Sequence, residues 1–183
     1  MKGPLYALLI VAGLLTGCAS APADLDAWAL RQGGCITNPA DPRVVRVSQI
    51  GASLAAQTVG CPLRFHMLQN SSITAYTWPA GDVFVTAALV DHATDDEIAA
   101  AMAHELGHLL GDGHIATVVS LQGNPGPLDV EQRADLLGCQ LLLATGRSPQ
   151  AMIQTLAKVG AANPSCRPEI AQRIAALHQR FGG

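Results

Sequence analysis

Residues 94–110 read Thr94-Asp-Asp-Glu97-Ile-Ala-Ala-Ala-Met-Ala-His104-Glu105-Leu-Gly-His108-Leu-Leu110. Thr94 is a good helix N-cap, and Glu97, three residues on, completes a capping box. Asp95 and Asp96 add negative charge at the positive end of the helix dipole. Ile98, Ala101, Met102, Glu105, His108 and Leu109 recur at spacings of three and four, so they form one stripe. The stripe is apolar at first and polar at its end. A helix over about Asp95–Leu110 with that stripe is buried, and it carries two His and one Glu inside the protein.

His104 and His108 are four apart, so on a helix they point the same way and can grip one zinc ion. Glu105 can take a proton from water held by the metal. A plain core helix with two hydrogen-bonded His explains neither the Glu nor its place on the buried face. The third ligand is open at this point. The chain has four Glu, at 97, 105, 131 and 169. Glu97 caps the helix and Glu105 is the candidate base. Glu131 opens Glu131-Gln-Arg-Ala-Asp135-Leu-Leu, the start of a second amphipathic helix over about 130–145, with Ala134, Leu137 and Leu141 on one side. Glu131 and Asp135 share a face. Glu131 can bind zinc, and Asp135 can accept the free ring N–H of a ligand His and fix its tautomer. The alternative is a solvated acidic face beside Arg133. A rival third ligand is His114, since His104-Glu105-x-x-His108-x-x-Gly111-x-x-His114 also fits the metzincin pattern. That pattern calls for a Met-containing turn under the metal. Met152 instead follows Ser148-Pro149, a helix start rather than a tight turn.

These residues resemble metallopeptidase family 48, the gluzincin group that includes HtpX and the CAAX prenyl proteases. The resemblance covers roughly residues 44–178. It is carried by Ala80-Gly-Asp-Val-Phe-Val-Thr86-Ala-Ala-Leu89, by the capped His104–His108 helix, by Glu131-Gln-Arg-Ala-Asp135, and more weakly by Pro168-Glu-Ile-Ala-Gln-Arg173-Ile174. It implies that Glu131 is the third zinc ligand and that Asp135 supports the site. Thr74-Ala75 stands where many members have Asn-Ala, and Arg167 replaces the His of a His-Pro pair. Only 22 residues separate His108 from Glu131, so the chain reads as a minimal version of the group.

The beginning of the chain reads as an export signal. Lys2 precedes an apolar run from Leu5 to Leu15, and Leu15-Thr-Gly-Cys18 resembles the bacterial lipobox. That resemblance implies a lipid on Cys18, with the domain in the periplasm of the cell envelope, and outer-membrane sorting in a Gram-negative cell. An ordinary secretory signal is the alternative. The expected organisation is a lipoprotein signal peptide at 1–17, an anchor and linker segment at 18–41 and a zinc metallopeptidase domain at 42–183. A net charge of −3 with no basic run gives no support for nucleic-acid binding. Aromatic residues are few, so Leu, Val, Ile and Ala must make the core.

After Cys18, Cys35, Cys61, Cys139 and Cys166 remain. An even number in an exported chain suggests two disulfides, with three possible pairings. Cys35–Cys61 and Cys139–Cys166 are favoured, each stapling a terminal segment to a helix end. Helices are expected at about 24–32, 42–58, 149–160 and 168–181, and strands at 63–68, 73–78 and 83–86. The expected fold is α+β, a small antiparallel or mixed sheet packed on a helical core that carries the motif helix.

The expected function is a zinc endopeptidase with one zinc per chain, held by His104, His108 and Glu131, with Glu105 as general base. The polypeptide substrate is expected to lie extended beside Val83-Phe-Val85. His114, Arg173 and His178 are candidate oxyanion donors. The alternative from another class is a catalytically silent envelope lipoprotein that uses the same cleft to bind a partner.

Overall fold

Asp41 and Pro42 start the first long helix: the Asp41 carboxylate accepts from the Arg43 N–H, and Pro42 occupies a position where no N–H is needed. The computed structural model describes residues 22–60, 62–78, 80–113, 115–117 and 129–182. In chain order the elements are α1 (Pro22–Arg31), β1 (Cys35–Ile36), α2 (Pro42–Ala55), β2 (Thr58–Gly60), β3 (Arg64–Leu68), β4 (Ala75–Trp78) and β5 (Asp82–Thr86). Then come α3 (Ala87–His92), α4 (Asp95–Gly111), β6 (Ile115–Thr117), α5 (Val130–Ala144), α6 (Gln150–Ala162), a 3₁₀ turn (Pro164–Cys166) and α7 (Arg167–Phe181). The fold is α+β.

The main sheet has the order β1-β3-β5-β4. β3 and β5 are parallel, with His66 opposite Phe84, while β1 and β4 run antiparallel to their neighbours. β5 is therefore enclosed on both edges. This corrects the expectation that substrate pairs along Val83–Val85, because every backbone group there that could pair already faces β3 or β4. β4 carries the outer edge. One sheet face receives α2 and α4. The other receives α1, where Trp28 packs edge-on against Tyr76 and Phe84 at ring-centroid distances of 5.4 and 5.0 Å. Residues 22–36 supply the helix expected at about 24–32 and a short strand, β1, that adds to the edge of the sheet. β2 pairs with β6 in a separate two-stranded ribbon that hydrophobic periodicity did not reveal.

The capping box of α4 forms as the sequence reads: Thr94 Oγ1 accepts from the Glu97 N–H, and Glu97 Oε2 accepts from the Thr94 N–H at 2.9 Å. Glu97 also pairs with Lys158 of α6, and Arg46 of α2 donates to Asp95. The helix departs from its expected one-sided stripe. All residues from Glu97 to Leu109 are buried, so α4 is the central element with neighbours all round. The small residues Ala99, Ala100, Ala101 and Ala103 let those neighbours approach.

The closest approach is to α5, and two glycines permit it. A Cβ on Gly107 would stand 2.2 Å from the Ala134 carbonyl oxygen, and one on Gly138 would stand 2.9 Å from the Ala103 carbonyl oxygen. This contact sets Glu131 opposite the His pair. In an open helix Gly→Ala stabilises by up to about 1 kcal/mol. Here the backbone clash should reverse that sign. Gly107→Ala is expected to cost about 1–3 kcal/mol in chemical denaturation. A variant more stable than wild type would contradict the close packing.

Candidate metal centre and active site

α4 brings His104, Glu105 and His108 inward, and the first turn of α5 adds Glu131. Asp129 caps that turn by accepting from the Gln132 N–H at 2.8 Å, which fixes where Glu131 begins. His104 Nε2 and His108 Nε2 lie 3.2 Å apart. Glu131 Oε2 lies 3.4 Å from His104 Nε2, and Glu131 Oε1 lies 3.6 Å from His108 Nε2. Ligand atoms about 2.0–2.1 Å from a tetrahedral zinc stand about 3.3–3.4 Å from one another. The triangle therefore has the size of three corners of such a site.

Unmet hydrogen-bonding capacity gathers at the same place. Glu105 Oε1 and Oε2, His108 Nδ1 and Glu131 Oε2 are buried without a hydrogen bond among the described residues. Buried polar atoms are normally paired, and each exception calls for a reason. A cation at the triangle, with water in its fourth position, accounts for the carboxylate oxygens of Glu131 and Glu105, while His108 Nδ1 lies across the ring from the liganding Nε2.

A second layer fixes the first. His104 Nδ1 donates to Asp135 Oδ1 at 2.8 Å, which leaves Nε2 as the lone-pair nitrogen facing Glu131. Asp135 also accepts from Arg173 Nε and Nη2 at 2.6 and 2.7 Å. Asp135 is 1% exposed, so a solvated acidic face on α5 does not describe it.

The electrostatics follow from burial and proximity. Burial, opposed by the charge of His104 and assisted by that of Glu131, pushes Glu105 up to about 7. Burial disfavours a charged His104, yet the Asp135 and Glu131 carboxylates outweigh it and raise the ring to about 9. Burial and the neighbouring His104 hold His108 down at about 4. At 3.2 Å the two Nε2 atoms cannot both carry protons. A divalent cation at the triangle would displace the proton that the metal-free pair shares between its Nε2 atoms. Burial works against the Asp135 carboxylate, but its bonds to His104 and Arg173 hold it below its ordinary range.

Glu105 gives a test in the metal-free protein. Its folded pKa lies above the ordinary 4.5, so ionisation penalises the fold. The penalty grows from about pH 4.5, where the unfolded carboxyl titrates, to about pH 7, where the folded one does. Glu105→Gln stays neutral. In chelator-treated protein it should raise stability by about 3 kcal/mol at pH 8 and by little at pH 4.5. Equal effects at both pH values would sink the assignment of an unpaired buried carboxylate.

The remaining sequence candidates divide. His114, Cys18 and Cys61 lie outside the described residues. Met152 is a buried residue of α6, in a helix rather than a turn. Arg173 is buried on α7, where its Nε and Nη2 donate to Asp135. His178 is exposed on α7. His66 bonds Asp82 at 2.8 Å and stacks on Phe84. The expected Cys139–Cys166 bridge is also corrected. Both thiols are free, because Cys139 points into the core from α5 while Cys166 is exposed in the 3₁₀ turn. Cys35 is free as well.

Sequence reading missed how Arg173 is used, although a signal was present. Ile170, Arg173 and Leu177 form the buried stripe of α7. An Arg inside an apolar stripe demands a buried carboxylate.

Residues 43–127 match the family model for peptidase family M48. Metalloprotease YcaL of Escherichia coli (strain K12) is 27% identical over 133 residues, covering 57% of this chain and 52% of that protein. The chain thus spans about half the length of this curated relative. The family match includes His104, Glu105 and His108 and ends before Glu131. The places of Glu131, Asp135 and Arg173 are set by the fold.

Proposed function

The chain belongs to peptidase family M48, and from that premise we propose that it is a zinc-dependent endopeptidase of the bacterial cell envelope. It holds one zinc through His104 Nε2, His108 Nε2 and the Glu131 carboxylate. The observation that carries the reading is the ligand triangle of 3.2, 3.4 and 3.6 Å, with the unbonded Glu105 carboxylate on the same helix. When bound, zinc lowers the pKa of water towards roughly 7 and polarises the scissile carbonyl.

The chain's own groups do the rest. Glu105 accepts the proton of the attacking water as the oxygen adds to the carbonyl carbon. It then delivers that proton to the amide nitrogen as the C–N bond breaks. Asp135 holds His104 in the tautomer that keeps Nε2 free of a proton. β4, whose outer edge has no strand beside it among the described residues, packs against α4 and can align an extended peptide by backbone pairing. Pairing of that kind selects extended or misfolded segments over particular side chains.

The envelope location rests on Lys2, the apolar run from Leu5 to Leu15 and the Leu15-Thr-Gly-Cys18 pattern. Among the described residues no helix is long and apolar enough to cross a membrane, and lipid on Cys18 is the proposed attachment. Cys18→Ala should move the protein from the membrane to the soluble fraction on cell fractionation. A variant that stays on the membrane would contradict the lipid anchor. The activity itself is tested by casein cleavage with the full chain in detergent. Cleavage should stop with chelator and return with zinc, and cleavage indifferent to chelator would rule the reading out.

A further inference from the structure

We propose that Arg173 is the positioning residue of the metal centre, one guanidinium that holds Glu131 and Asp135 in fixed relation so that the ligand triangle exists before zinc arrives. The proposal rests on the zinc reading above. Glu131 and Asp135 are one turn apart on the same face of α5, so their like charges repel. Arg173 stands against both. Its Nε and Nη2 donate to Asp135 in a two-pronged pair, and its Nη1 lies 3.1 Å from Glu131 Oε2. Glu169, one turn back on α7, lies 3.9 Å from the same Nη1 on the solvent side.

The geometry favours this role over the other two open to a buried Arg. As an oxyanion donor it would have to present N–H groups to substrate, but its side chain is buried at 4% exposure, with Nε and Nη2 engaged by Asp135 and Nη1 beside Glu131. As simple core filling it would need no specific acceptors, yet it meets the third ligand and the support of the first. The planar fork is what allows one side chain to serve both, and a Lys ammonium has a single charged point. α7 supplies no ligand itself, so through Arg173 the C-terminal helix becomes part of the metal site. On its outer side the Asp135–Arg173 pair borders a cavity of about 290 Å³, lined also by Gln132, Leu136 and Ala176. That space gives a small guanidinium solute a route to the pair.

The test measures zinc affinity of the full chain in detergent, by competition with a chromophoric chelator, for wild type, Arg173→Lys, Arg173→Met and Arg173→Ala. Loss of a group that supports a ligand typically weakens metal binding 10- to 100-fold. Arg173→Lys should fall near the lower figure and Arg173→Met near the upper, with KM for casein unchanged at saturating zinc. Methylguanidinium should tighten zinc binding by Arg173→Ala and leave wild type unaffected, a rescue that a purely structural role does not give. Where Arg173→Ala fails to fold, Arg173→Lys decides, since it keeps the buried positive charge. Zinc affinities within twofold of wild type for the folded Lys and Met variants would overturn the proposal. A wild type that binds no zinc would instead overturn the metal reading beneath it.

Discussion

Glu105→Gln is expected to lower kcat/KM on casein by about 10³-fold while zinc stays bound. The magnitude follows from the task. A positioned general base contributes about 10²–10⁴-fold, and the amide of Gln can neither accept the proton of water nor return it to the leaving nitrogen. Zinc stays because Glu105 is not a corner of the triangle, which is made by His104, His108 and Glu131. Its carboxylate has no hydrogen bond to lose, and burial already penalises its charge, so the substitution does not destabilise the fold. The same substitution therefore separates chemistry from structure. Zinc content and thermal stability should hold while turnover falls. Metal lost together with activity would place Glu105 among the ligands.

Asp135→Ala acts in the opposite way, on structure first. It leaves the His104 Nδ1–H without an acceptor and frees two donors of Arg173, both in a buried setting. Removing one member of a buried charged pair typically costs about 3–5 kcal/mol. Zinc affinity should fall with it, by roughly 10- to 100-fold, because His104 loses the bond that fixes its tautomer. Asp135→Asn keeps an acceptor for His104 and should lie between Ala and wild type. The pH dependence carries the same sign. The folded carboxyl lies below the ordinary 3.8, so its stabilisation is present at neutral pH and is lost as pH falls through the folded value. Denaturant titration at pH 7 with and without zinc measures both effects. A loss below about 1 kcal/mol, the scale of an ordinary single hydrogen bond, would contradict the network.

The core of the site was legible because helical periodicity and metal chemistry make the same demand of residues 94–110. Capping, stripe and ligand spacing all refer to one helix, and no long-range contact is needed to read them. Glu131 and Asp135 were legible as a pair on one face of α5. What faces them was not, since Arg173 comes from a helix 38 residues beyond Asp135. The α4–α5 approach was hidden for a related reason. Gly107, Ala134 and Gly138 are small residues at helical spacing, but spacing alone does not say which helix they meet. Strand order was the least legible feature. β3, β4 and β5 were each found, yet their alternation does not state that β5 lies inside and β4 outside. The cysteines misled because compartment predicts pairing while geometry decides it. Cys139 faces the core, and a buried thiol there is stable without a bridge.

The most direct test of the metal centre is zinc stoichiometry and casein cleavage for the chelator-stripped, zinc-reloaded full chain, beside Glu131→Ala and His114→Ala. With Glu131 as third ligand, wild type and His114→Ala each hold one zinc, while Glu131→Ala holds little and cleaves nothing. A Glu131→Ala protein that keeps its zinc and its activity, alongside a His114→Ala protein that loses both, would contradict the account.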